Sequence, residues 1–100
     1  MTASIGIWAH GDLTGDHVLY RWEADQDAGF VAFEVATRRF RPADAGGRPI
    51  GDLVLDVVSG DLTGAADGVN QRLLSQVVAS ILRGYARVGG PPPTAHAYYH

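Results

Sequence analysis

The longest regular pattern of apolar positions runs from about residue 61 to residue 90. Asp61, Thr63 and Asp67 can each accept hydrogen bonds from free N–H groups where a helix begins. Gly89 and the prolines after it predict where that helix ends, since glycine favours a left-handed cap and proline stops a helix. The apolar positions share one face at a period of 3.6 residues: Val69, Leu73, Leu74, Val77, Val78, Ile81, Leu82, Tyr85 and Val88. Such a helix needs a partner surface.

The first sixty residues alternate between apolar and polar positions with a period of two, which is typical of strands. The alternation predicts four strands, at 4–10, 17–23, 30–37 and about 52–58. An arginine-rich segment at 38–49 is predicted to be an irregular loop. Because short turns favour antiparallel neighbours, we expect an α+β fold: an antiparallel four-stranded meander followed by one long helix packed on one face.

The predicted order β-β-β-β-α places residues 1–90 in a single domain and leaves 91–100 as a proline-rich tail. We expect that tail to lie outside the core, disordered or docked on a neighbour. The expected helix-facing side chains are Val18, Tyr20, Trp22, Val31, Phe33, Val35, Leu53, Leu55 and Val57. The opposite side of the sheet still carries apolar residues, namely Trp8, Leu19, Phe30, Ala32, Ala36, Val54 and Val58.

This second apolar side suggests a contact surface, because large exposed apolar patches are uncommon on monomers. The residues predicted to form the interface are Trp8, Leu19, Phe30 and Val54, with Tyr98 and Tyr99 of the tail as a docking segment. The function expected first is therefore a small non-enzymatic protein-interaction module, of the adaptor or inhibitor type. It would bind a second copy of itself or another protein. The alternative is that the tail folds back and covers this side.

Composition narrows the function classes. The 100 residues contain 46% hydrophobic residues and no cysteine, so disulfides and thiolate metal sites are excluded. The net charge of −3 argues against general nucleic-acid binding. No apolar run is long enough to predict a membrane span. The first residues do not resemble a secretion signal, so a cytoplasmic location is expected.

All eight basic residues are arginines, and several fall where a meander would bring loops to one end of the sheet. This favours a second function, a small-molecule or anion-binding domain with an arginine-rich rim. Its predicted residues are Arg38, Arg39, Arg41, His10 and His17, with Arg48, Arg83 and Arg87 nearby. The alternative is that surface carboxylates neutralise these cations in weak pairs, the candidates being Asp12, Asp16, Asp44 and Asp52.

No residue set predicts a reaction, a cofactor or a metal site. Ser59 and Ser75 lack the context of a nucleophile elbow, and Asp56 is predicted to face outward from its strand. Glu34 shares its face with apolar residues, but a position at the rim of the sheet explains that. His96 and His100 provide too few ligands for a metal. We therefore expect no catalytic residues and lean against an enzyme.

One pentapeptide occurs twice. Gly-Asp-Leu-Thr-Gly fills both 11–15 and 60–64, each time directly after an apolar strand. These residue types favour turns, so two equivalent tight turns are expected. A duplicated ligand-binding loop is the alternative, although the residues that follow the two copies do not match.

Overall fold

The computed structural model describes residues 3–25 and 27–99, which form one antiparallel sheet and one helix. The elements in chain order are β1 Ala3–Ala9, β2 His17–Glu23, β3 Ala28–Glu34, β4 Arg39–Ala43, β5 Val54–Asp56, β6 Asp61–Thr63, α1 Gln71–Val88 and β7 Thr94–Tyr99. The strands lie in the order β6-β5-β4-β3-β2-β1-β7. The α+β class and the meander are thus confirmed, but the sheet has seven strands rather than four.

The helix is shorter than its apolar pattern predicts. It begins after Asn70, whose side-chain oxygen accepts from the backbone N–H groups of Arg72 and Leu73 at 3.1 and 3.2 Å. The earlier caps at Asp61, Thr63 and Asp67 were therefore wrong. Its end is as predicted, because Gly89 adopts the left-handed conformation at φ 79° and donates to the Tyr85 carbonyl.

The core lies between the helix and one face of the sheet, where the alternation placed it. Phe33 and Phe40 stack with their ring centroids 4.3 Å apart, and both are fully buried. The remaining buried core residues are Ile5, Ile7, Val18, Tyr20, Trp22, Val31, Leu53, Leu73, Leu74, Val77, Val78 and Ile81. Val35, Leu55 and Val57 pack partly buried against them. Val88, at the end of the predicted apolar face, is instead exposed.

The predicted arginine-rich loop at 38–49 contains a strand that was missed. In β4 the arginines point outward while Phe40 enters the core, which is the alternation of a half-buried strand. Pro42 argued against a strand in the sequence, because proline has no backbone N–H to donate to a neighbouring strand. Its carbonyl accepts from Ile50 in the following loop, at 2.9 Å. Since the nitrogen and carbonyl of a strand residue point the same way, the missing donor faces that loop rather than β3.

The fourth predicted strand, at 52–58, is reduced to the three residues of β5. Pairing with β4 is confined to two residue pairs, Arg39 with Asp56 and Phe40 with Leu55. After Asp56 the chain turns at once, because the Asp56 carboxylate accepts from the backbone N–H groups of Val58 and Ser59. That turn frees the next residues to form β6.

The two copies of the repeated pentapeptide have different structures. In the first, the Asp12 carboxylate accepts from the Thr14 backbone N–H and hydroxyl at 2.8 and 2.7 Å, which closes the expected turn. In the second, residues 61–63 form β6, with Leu62 opposite Leu55 on β5. The expectation of two equivalent turns was therefore wrong for the second copy.

The proline-rich segment does not stay outside the fold. β7 pairs antiparallel with β1 along six residue pairs, from Thr94 opposite Trp8 to Tyr99 opposite Ala3. Pro92 is buried, and its carbonyl accepts from the Tyr20 hydroxyl at 2.8 Å. The chain thus packs against the core at Pro92 before β7 begins. Within the described residues, no helix has the length and apolar character needed to cross a membrane.

Candidate functional site

The helix covers one face of the sheet and leaves the other open, and the charged residues of strands β2 to β6 gather on the open face. Five of them stand opposite one another on successive strands, because the cross-strand pairing keeps them in register. We call this set the charged row: His17, Glu34, Arg39, Asp56 and Asp61. Its position follows from the alternation that sends the neighbouring residues into the core.

Most of the charged row is internally bonded. His17 Nε2 lies 3.2 Å from a carboxylate oxygen of Glu34, and Arg39 Nε lies 3.3 Å from Asp56 Oδ2. The Thr37 hydroxyl donates to the other oxygen of Glu34. This bond, followed by the one to His17, holds the pKa of Glu34 below its usual value. Because the pairs are largely solvent-exposed, they orient the row but contribute little to folding stability.

Asp56 is fixed in the same way. The backbone N–H of Ser59 lowers the pKa of Asp56 most, and the bond from Arg39 and the N–H of Val58 lower it further. Glu34 and Asp56 are therefore ionised at neutral pH. The hydrogen bonds that they accept also fix the positions of their carboxylates. Neither carboxylate has the raised pKa that would suit it to general acid catalysis.

Beside the charged row the open face forms a cavity of about 570 Å³, which we call the sheet cavity. Its floor includes the apolar side chains of Ala32 and Val54. Its remaining lining is polar or belongs to loops: His17, Glu34, Arg39, Arg41, Gly47, Pro49, Asp56, Ser59, Asp61 and Thr63. The volume lies within the range of small-molecule sites, roughly 300–1,000 Å³.

Two charged side chains in the sheet cavity take no part in the hydrogen bonds and ion pairs of the charged row. Arg41 on β4 is exposed, and its guanidinium has no hydrogen-bond or ion-pair partner among the residues that the structure describes. The Asp61 carboxylate on β6 is likewise exposed and without a partner in the same part of the chain. Among the described residues that line the cavity, one cation and one anion are thus without a partner.

The structure divides the residues predicted for an arginine-rich rim. His17, Arg39 and Arg41 line the sheet cavity together. Arg38 has a positive φ of 59° and turns away, so that its guanidinium lies 4.4 Å from the centre of the Tyr85 ring and donates to the Tyr85 hydroxyl. His10 is also elsewhere, with its ring nearly perpendicular to the Phe30 ring and the two centroids 5.3 Å apart.

The carboxylates expected to neutralise the arginines serve other purposes. Asp12 closes its own turn, and Asp44 Oδ1 accepts from the backbone N–H groups of Gly46 and Arg48 at 2.9 and 3.0 Å. Neither Asp16 nor Asp52 pairs with an arginine side chain in the described part of the chain. The carboxylate that does pair with a rim arginine is Asp56, which its outward position on a strand made predictable.

The residues predicted for an interface lie mainly at the other end of the open face. Trp8 on β1 is 43% exposed. It lies opposite Arg21 on β2, which in turn lies opposite Phe30 on β3. Leu19 and Phe30 are half-buried beside it. We call Trp8, Leu19, Arg21 and Phe30 the aromatic patch. Val54, predicted with them, lines the sheet cavity instead.

The indole of Trp8 lies along its own strand, over Gly6. A Cβ added to Gly6 would come within 2.7 Å of the six-membered ring of Trp8, so only glycine leaves room for the ring there. One face of the ring is therefore presented away from the sheet. Tyr98 and Tyr99 belong to β7 by their backbone pairing, and their side chains lie outside the described part of the structure.

Sequence reasoning missed Asp61, Ser59 and Thr63 as members of the sheet cavity. Asp61 and Thr63 fall in the region that was predicted to begin the helix, and Ser59 lies just before it. A signal was present, since Asp61 and Thr63 stand two residues apart around Leu62, as in a strand. The helical pattern that follows masked it.

Comparison of the chain with protein-family models, with curated proteins and with solved structures yields no match. The geometry of the open face therefore carries the functional interpretation.

Proposed function

We propose that this chain is a small non-enzymatic interaction module that self-associates through the aromatic patch on the open face of its sheet. The observation that carries the proposal is the exposure of Trp8. Its ring lies over Gly6 and is 43% exposed, so a partner that docks on it would bury a large aromatic surface. Tryptophan and arginine are also the residue types most enriched among energetically dominant interface residues.

The charges of the open face suit a second copy of the same chain. Strands β2 to β6 present three arginines and four carboxylates on this face, a balance close to neutral. Arg21 and Glu23 form an ion pair next to Trp8. In a twofold dimer each patch meets its own copy, so both signs on one surface allow mutual pairing. A cytoplasmic location stays part of this proposal and rests on the sequence pattern alone.

Sedimentation equilibrium of the purified chain over a range of concentrations tests the proposal. We expect a reversible dimer for the unchanged chain and a weaker one for Trp8→Ser. A central tryptophan typically contributes about 2 kcal/mol or more, so the dimer dissociation constant should rise at least about thirtyfold. Phe30→Ser should weaken the dimer less, because Phe30 is already half-buried in the monomer.

Val88→Ser is the matched control, since Val88 is an exposed apolar residue on the helix, away from the open face. It should leave the dimer unchanged. A chain that stays monomeric at several hundred micromolar would contradict self-association, and so would equal weakening by Trp8→Ser and Val88→Ser.

A further inference from the structure

We propose that the sheet cavity binds a small zwitterion, a short aliphatic molecule that carries a carboxylate at one end and an ammonium group at the other. This ligand site is separate from the self-association proposed above, since none of the four residues of the aromatic patch lines the cavity.

The two charges without partners set the ligand class. Arg41 offers a planar guanidinium that can donate two parallel hydrogen bonds to a carboxylate. Asp61 offers a carboxylate that can accept from an ammonium group. They stand on β4 and β6, on either side of β5. The register places Arg41 in line with Val54 and Thr63, and Asp61 in line with Asp56, two residues further along the strands. Their backbones are therefore two strand spacings and two residues apart, about 12 Å. They form no ion pair with each other.

Part of the floor between these two groups is apolar, although Asp56 lies next to Asp61. Val54 lies on β5, between the strands of Arg41 and Asp61, and Ala32 lies beside it on β3. A short methylene chain laid over Val54 would bury apolar surface while its ends reached the two charges. The Ser59 hydroxyl and Thr63 add hydrogen-bonding groups beside Asp61.

The rest of the cavity argues against highly charged anions. Glu34, Asp56 and Asp61 bring three carboxylates, against the two guanidinium groups of Arg39 and Arg41. Glu34 and Asp56 remain ionised, because their hydrogen bonds favour the charged form. A doubly charged phosphate monoester would meet this negative excess, whereas a zwitterion adds no net charge.

The test is a titration followed by two-dimensional ¹H–¹⁵N NMR of the full chain, with 4-aminobutyrate as the first probe. Glycine and 6-aminohexanoate vary the distance between the charges. Butyrate and butylammonium each supply one charge alone, and inorganic phosphate supplies an anion without a chain. We expect saturable shifts of backbone amides on β4, β5 and β6 for at least one amino-carboxylate. The two singly charged analogues should bind at least about tenfold more weakly, since each loses one charged hydrogen-bonding group.

Single substitutions then assign the two ends of the ligand. Arg41→Gln and Asp61→Asn should each weaken binding of the amino-carboxylate about ten- to a hundredfold, the usual effect of losing a hydrogen bond to a charged group. Arg41→Lys should weaken it less than Arg41→Gln, because it keeps the charge but loses the planar fork. Asp61→Asn should leave the affinity for butyrate unchanged.

The controls are Arg72→Gln and Asp25→Asn, which remove the same charges from exposed positions outside the cavity. Both should bind the probe within twofold of the unchanged chain. The inference is overturned if no amino-carboxylate shifts the spectrum at 20 mM, or if butyrate or phosphate binds as tightly as the amino-carboxylates. It is also overturned if Asp61→Asn has no effect on amino-carboxylate affinity. Each outcome is independent of the oligomeric state measured for Trp8→Ser.

Discussion

The two faces of the sheet differ although the same strands build both. Phe30 and Phe33 lie three residues apart on β3 and point to opposite sides. Phe33 is fully buried, with Phe40 stacked on it and the Tyr85 ring nearly perpendicular to it at a centroid distance of 6.1 Å. Phe30 is half-buried and meets the ring of His10. One phenylalanine is part of a packed core, and the other belongs to a surface.

The faces also treat polar groups differently. On the covered face the Tyr20 hydroxyl donates to a buried carbonyl, and burial raises the pKa of Tyr20 well above its usual value. On the open face the charged row is exposed to water, where ion pairs contribute little. The covered face therefore supplies most of the stability, while the open face is free to carry function.

Truncation of the two phenylalanines is the strongest test of that difference. Phe33→Ala should lower the free energy of unfolding by about 3–5 kcal/mol, because it leaves a cavity in the core. Phe30→Ala removes the same atoms from the same strand but should cost only about 1 kcal/mol, since water fills the space. Urea denaturation followed by circular dichroism measures both, at a protein concentration at which the chain is monomeric. Equal losses would show that the open face is covered in solution.

A methyl group added at a glycine gives a second, smaller contrast. Gly84 of the helix faces Pro92, and a Cβ there would come within 2.8 Å of the proline ring. Gly84→Ala should therefore cost about 1–3 kcal/mol, despite alanine's better helix propensity. Gly6→Ala meets only the Trp8 side chain, which can swing into solvent, so its effect should be close to zero. Thermal unfolding of the two variants checks this. A stabilised Gly84→Ala variant would contradict close packing of the 91–93 segment on the helix.

The Tyr20 hydroxyl tests whether the polar contact on the covered face is structural. Tyr20→Phe leaves the Pro92 carbonyl without its donor and should cost about 1 kcal/mol, with the fold otherwise unchanged. The free energy of unfolding in urea measures the loss. Amide hydrogen exchange should speed up first along β7, because the bond ties the start of that strand to β2. Unchanged exchange on β7 would contradict this role.

The smallest expected effect is a pH dependence that arises on the open face. The pKa of Glu34 is lowered from its ordinary value of 4.5, so this group contributes stability above that value and loses it as the pH falls through the lowered pKa. Glu34→Gln should therefore flatten the acid side of the stability profile below about pH 5. Thr37→Val should reproduce more of that change than His17→Gln, because the Thr37 hydroxyl is the larger cause of the shift. Melting temperatures at several pH values measure it, and identical profiles would rule out the proposed cause.

Much of the covered face could be predicted from the sequence, because burial leaves a periodic trace. The alternation at Val18, Tyr20 and Trp22 and the helical spacing from Leu73 to Ile81 both identified core residues correctly. The glycine cap at Gly89 was equally readable, since few other residues tolerate its conformation. Short strands were not, because β4, β5 and β6 are three to five residues long and leave too little periodicity.

The open face depended on strand register, which a sequence pattern does not specify. The charged row exists only because His17, Glu34, Arg39, Asp56 and Asp61 meet across five strands. Arg38 and Arg39 are neighbours in sequence, yet one packs on Tyr85 and the other pairs with Asp56.

The repeated pentapeptide shows most directly which features the sequence determines and which depend on the tertiary structure. The sequence by itself determined the α+β class, the antiparallel pairing of the first strands and much of the helix-facing core, because these follow from local periodicity and short turns. It could not distinguish residues 11–15, where Asp12 closes a turn, from residues 60–64, where Asp61 stands free on β6. Only the tertiary structure decided that, since β5 offers its edge to the second copy. Where local preference is the same, the available partner strand selects the structure.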